Sequence, residues 1–119
     1  MWWPAVCGAM DDASFGTLVI LCTAPQDASD AIIRALLESR LAACVNRHRV
    51  HSMYRWEGRI ASDDEDLLFI KTVAPLFDAV EQAIRKMHPY DIPEIIALPV
   101  TAGSGAYLGW VRKEVRPPQ

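Results

Sequence analysis

The chain has 119 residues, which is room for one domain and one core. Its 51% hydrophobic and 23% charged residues are the make-up of a soluble globular protein. A formal net charge of -3 excludes general nucleic-acid binding, which needs a basic stripe to displace counterions.

From Met1 to Gly16 there is no basic n-region, no long apolar h-region and no run of membrane-spanning length. Residues 1–14 are expected to be a disordered tail, with a single domain over 15–119 and no contact with a membrane. The cysteines, Cys7, Cys22 and Cys44, are odd in number and lack C-x-x-C spacing, so neither a disulfide framework nor a structural zinc site is expected. A reduced, cytoplasmic protein follows.

Phe15 to Cys22 is short, β-branched and almost wholly apolar, the pattern of a strand buried on both faces. Pro25 and Asp27 mark a helix start, and Ile32, Ile33, Leu36, Leu37 and Leu41 recur at helical spacing. Ala42 to Ile60 reads as extended. Alternation there sends Tyr54, Trp56 and Ile60 to one face and Arg55, Glu57 and Arg59 to the other. Ser62-Asp63-Asp64 supplies turn residues, and Leu67 to Val73 returns as a strand. The long hairpin would overhang so small a domain, so its far end is expected to meet another subunit. Arg47, Arg49, Arg55 and Arg59 are answered by the acid run from Asp63 through Asp66, which reads as surface charge pairing.

Pro75 opens a second helix whose buried face is Leu76, Phe77, Val80, Ala83, Ile84 and Met87. Pro89 ends it. His88-Pro89-Tyr90-Asp91-Ile92-Pro93-Glu94 cannot be regular structure, because each proline lacks an N–H and restricts the residue before it. That shaped connector, rich in polar groups, is a candidate site or interface. Glu94 to Val100 is a fourth strand, and Ala106 to Val115 a closing helix. The order β-α-β-β-α-β with right-handed crossovers gives an α+β, ferredoxin-like split βαβ sheet with a C-terminal helix and both crossover helices on one face. The other face needs cover, which a closed oligomer supplies.

Cys22-Thr23-Ala24-Pro25, Leu41-Ala42-Ala43-Cys44-Val45-Asn46, Ser52-x-Tyr54-x-Trp56-Glu57-Gly58, Lys71-Thr72, His88-Pro89-Tyr90-x-x-Pro93-Glu94, Leu98-Pro99-Val100 and Tyr107-Leu108-x-Trp110 stand in order. With them the chain resembles the CutA divalent-cation tolerance family over Leu18 to Trp110. The resemblance implies a PII-like homotrimer and a role in tolerance of copper and other divalent metals. Carried over by position, it implies Cys22, Met87 and His88 as metal ligands, for Cu(I), Cu(II) or another divalent ion. The pattern differs at Met87, where the family has histidine, at Arg59, where it has lysine, and over Arg47 to His51, which is shorter and more basic.

Thiolate, thioether and imidazole make a soft-metal set, although Cys22 and Met87 also fit their apolar periods and packing alone would explain them. Trp56, Glu57, Lys71, Tyr90, Glu94, Tyr107 and Trp110 are candidates for an inter-subunit cleft that holds a small anionic ligand. The competing reading makes them ion pairs and aromatic interface anchors. No nucleophile elbow, zinc-protease helix, P-loop or dinucleotide fingerprint is present, so neither catalysis nor an organic cofactor is expected. The function read from sequence is metal binding or signalling. The alternatives are a PII-like metabolite sensor and a trimeric scaffold for an unidentified protein partner.

Overall fold

The computed structural model describes residues 16–117, so the expected tail over residues 1–14 lies outside the described residues. Strands β1 (Thr17–Ala24), β2 (Cys44–Trp56), β3 (Arg59–Val73) and β4 (Ile95–Pro99) form one four-stranded sheet in the order β2-β3-β1-β4. Every pairing is antiparallel. Helices α1 (Gln26–Glu38) and α2 (Phe77–Met87) are the crossovers, and α3 (Gly105–Glu114) closes the chain. This is the expected ferredoxin-like order. A short 3-10 turn, Ala74–Leu76, carries Pro75 into α2.

One sheet face carries the core. Ile20, Cys22 and Ala24 of β1 and Leu68 and Ile70 of β3 pack with Ile32 and Leu36 of α1 and with Leu76, Val80 and Ile84. The first strand alternates between buried and half-buried residues, so it is not buried on both faces as its composition suggested. The opposite face is only partly covered. Register places Leu21 between Phe69 and Ile96, and Val19 between Lys71 and Leu98, on that side. Ile96 and Leu98 are each 50% exposed.

Three local expectations are corrected. The hairpin turns at Glu57-Gly58, not at Ser62-Asp63-Asp64, because Trp56 pairs directly with Arg59. Glu57 and Gly58 have φ of 52° and 79°, the two positive values that a tight two-residue turn requires. Reversal at that point puts Ile60 opposite Arg55, on the face away from Tyr54 and Trp56. Glu57 therefore does not lie in a strand between two guanidinium groups. On the helices, Leu37 and Met87 are exposed and not part of the buried stripe, since each falls at the edge of its apolar arc.

The basic stretch of β2 does meet acid. Arg49 Nε lies 3.0 Å from Asp66 Oδ1 and His51 Nδ1 lies 2.7 Å from Asp64 Oδ1, each across a direct strand pair. Burial alone would push the Asp66 carboxyl up, but Ser29 and Arg49, both bonded to it, bring it below its usual value.

Candidate functional site

Pro89 cannot continue α2, so the helix ends at His88, whose backbone is extended (φ -80°, ψ 133°). The turn aims the imidazole at β1. His88 Nε2 donates to the Thr23 carbonyl at 2.7 Å, and Nδ1 accepts from the Tyr90 backbone N–H at 3.2 Å. Both ring nitrogens are thereby used, and the pattern selects the Nε2–H tautomer. The Tyr90 ring packs on the imidazole with centroids 4.7 Å apart. Its hydroxyl donates to Glu65 Oε2 at 2.9 Å. Burial, then the Glu65 carboxylate, push the Tyr90 phenol up.

Beside this stack lies a groove of about 570 Å³ lined by Thr23, Ser52, Met53, Tyr54, Trp56, Glu65, Tyr90, Asp91, Ile92 and Glu94. β2 supplies Ser52, Tyr54 and Trp56 from one face, and Met53 between them adds to the lining. Tyr54 donates to Asp63, and its phenol is raised by that bond first. The carboxylates of Glu65, Asp91 and Glu94 make the groove acidic.

Of the expected cleft residues, Trp56, Tyr90 and Glu94 line this groove. Glu57 sits in the turn beyond Trp56 and is not among its lining residues. Lys71 lies six residues from Glu65 along β3, about 20 Å at the usual strand rise. There its ammonium contacts Asn46 Oδ1 and lies 3.9 Å from Cys44 Sγ. Tyr107 stacks near Trp110, with centroids 5.7 Å apart. Its phenol is raised by burial first and then by Cys44. Within one protomer the candidates thus form two separate sets. The sequence did not mark Tyr54 and Glu65 as site residues, whereas Asp91 stood within the His88 to Glu94 connector that it did mark. The Tyr54 and Trp56 alternation was a usable signal, whereas Glu65 was concealed in an acid run that reads as surface.

The fold does bring Cys22 and His88 to one place, for both donate to the Thr23 carbonyl, the thiol at 3.7 Å. As folded they do not fit a metal. Burial, helped by Glu94 and Glu65, pushes the Cys22 thiol up to about 12, and the imidazole has no uncommitted nitrogen. Met87 is 39% exposed at the end of α2. Among the described residues no group of three or more His, Cys, Asp or Glu side chains is arranged to hold an ion.

Residues 18–114 match the family model of the CutA1 divalent ion tolerance protein. The chain is 42% identical over 97 residues to the divalent-cation tolerance protein CutA of Thermus thermophilus, covering 80% of this chain and 94% of that one. It is 48% identical over 83 residues to human protein CutA, covering 69% of this chain and 46% of the human one. A solved PII-like CutA from Nostoc superposes with a TM-score of 0.79 at 32% identity, covering 83% of this chain and 97% of that one. With the fold order and the placed motifs, these matches establish that the chain belongs to the CutA1 divalent ion tolerance family.

Proposed function

We propose that the chain acts in divalent-ion tolerance, copper included, as a cytoplasmic homotrimer that binds or signals and does not catalyse. The separation of Trp56, Tyr90 and Glu94 from Lys71, Tyr107 and Trp110 carries this reading. Two sets of aromatic and charged residues at opposite ends of one sheet face become a single cleft only when one protomer's hairpin reaches its neighbour. The half-exposed Ile96 and Leu98 give such an assembly apolar surface to bury. The noncatalytic part rests on the buried, un-ionised Cys22 thiol, a poor nucleophile at neutral pH.

Copper binding by Cys22, Met87 and His88 requires His88 to release Thr23 and Cys22 to lose its proton against burial. A Cu(I) titration of the reduced protein beside His88→Ala and Cys22→Ser, with mass by light scattering at each point, tests both parts. A monomeric mass at micromolar protein sinks the trimer. Equal Cu(I) affinity in all three proteins removes these residues from any metal site.

The second reading is a sensor of a small metabolite, supported by the fold shared with the PII-like neighbour. Glu65, Asp91 and Glu94 weigh against an anion in the groove itself. A protein partner for the trimer surface would be sought by pull-down.

A further inference from the structure

The end of the molecule away from the acidic groove holds a second recess, of about 450 Å³, with the opposite charge. Arg40, Arg112, Lys113 and Arg116 line it together with the apolar side chains of Val73 and Val115, and no carboxylate is among its lining residues. In a chain whose acidic residues outnumber its basic ones, 15 to 12, this is a local inversion. Among the described residues none of the four cations makes an ion pair with a carboxylate.

The recess is built and not a chance gathering of surface side chains. Arg40 follows α1 at φ 60°, a left-handed position that glycine normally takes. From there its guanidinium donates to the carbonyls of Glu114 at 2.8 Å and Lys113 at 3.0 Å, while its own carbonyl accepts from the Arg116 N–H at 2.8 Å. The rim on the other side is fastened by the Ala74 N–H, which donates to the Gly16 carbonyl. Cations near the C-terminus of α3 complement its dipole, which accounts for Arg112 and Lys113. It does not account for Arg116. The Nε–H of that guanidinium is buried and has no hydrogen-bond partner among the described residues, a state that native structures ordinarily avoid.

We propose that this recess binds a small organic anion, a phosphate or carboxylate carried on a short apolar body. The charged end is held by the side chains of Arg112, Lys113 and Arg116, while the body lies against Val73 and Val115. The site is separate from the groove at Tyr90 and stands whether or not the metal reading does.

Phenyl phosphate is the probe, titrated into the full chain by calorimetry at fixed ionic strength, with melting temperature read in parallel. Saturable binding and a rise of several degrees are expected at about 10 mM probe, with no response to benzyl alcohol. Arg116→Gln is expected to weaken binding at least about tenfold. Should Arg116→Gln fail to fold by circular dichroism, the double variant Arg112→Gln/Lys113→Gln takes its place, with the same loss expected. No saturable binding by the parent chain, or parent-like affinity in a folded variant, overturns the proposal. An Asp11→Asn/Asp12→Asn variant resolves the source of the anion. Binding that appears only there assigns the recess to the chain's own carboxylates and overturns the free-ligand reading; unchanged binding supports it.

Discussion

The Tyr90 hydroxyl and the Glu65 carboxylate meet at 2.9 Å although 25 residues separate them in sequence. Glu65 is only 5% exposed, so the phenol is what satisfies it. Tyr90→Phe leaves that carboxylate without its donor and is expected to cost about 1–3 kcal/mol in denaturant unfolding. Adding Glu65→Gln should restore part of the loss. Additive losses from the two changes would show that the contact does not couple them.

Cys22 and Cys44 should differ in reactivity. Cys22 is fully buried with its thiol pushed up to about 12, whereas Cys44 is partly accessible. Brief alkylation of the native protein at neutral pH followed by peptide mass mapping should label Cys44 and spare Cys22. Equal labelling would contradict the buried strand position.

The same thiol sets an alkaline limit. Its folded value lies above the ordinary 9.0, so the neutral thiol contributes stability fully present below pH 9 and lost as pH climbs towards about 12. The raised Tyr90 phenol acts in the same direction above pH 10. Melting temperature should therefore fall through this window, and Tyr90→Phe should flatten the upper part of the fall.

At residue 40 the usual helix ranking should invert. The left-handed backbone of Arg40 suits glycine better than alanine by about 1 kcal/mol, while both substitutions lose the bonds to Glu114 and Lys113. Arg40→Gly is thus expected to be more stable than Arg40→Ala by about that amount. The reverse order in chemical denaturation would rule out the left-handed cap.

Glu57 occupies the first position of a turn that favours asparagine. Glu57→Asn should raise stability by about 0.5–1 kcal/mol, since the groove does not use this side chain. Gly58→Ala should lower stability by about 1 kcal/mol through φ alone, because a Cβ there meets no atom within 4 Å.

Element order, both crossover helices and the sheet were legible because apolar period and proline position speak directly to the backbone. The hairpin turn was not. Ser62-Asp63-Asp64 carries stronger turn chemistry than Glu57-Gly58, yet cross-strand partners such as His51 for Asp64 keep that acid run in the strand. Cys22 and His88 could be named from the resemblance, but their shared commitment to one carbonyl oxygen is a product of the fold. The basic recess was invisible for a related reason. Arg40 and Arg116 lie 76 positions apart and meet only because the closing helix returns to α1.

The short turn at Glu57-Gly58 has a consequence for folding fidelity. It admits one alignment of β2 with β3, and in that alignment Arg49 faces Asp66 and His51 faces Asp64. A slip by a single residue would carry every side chain of one strand to the wrong face, parting Arg49 from Asp66 and His51 from Asp64 and turning Tyr54 and Trp56 away from the groove. These cross-strand pairs therefore act as a checksum on the hairpin, penalising misaligned copies of the fold.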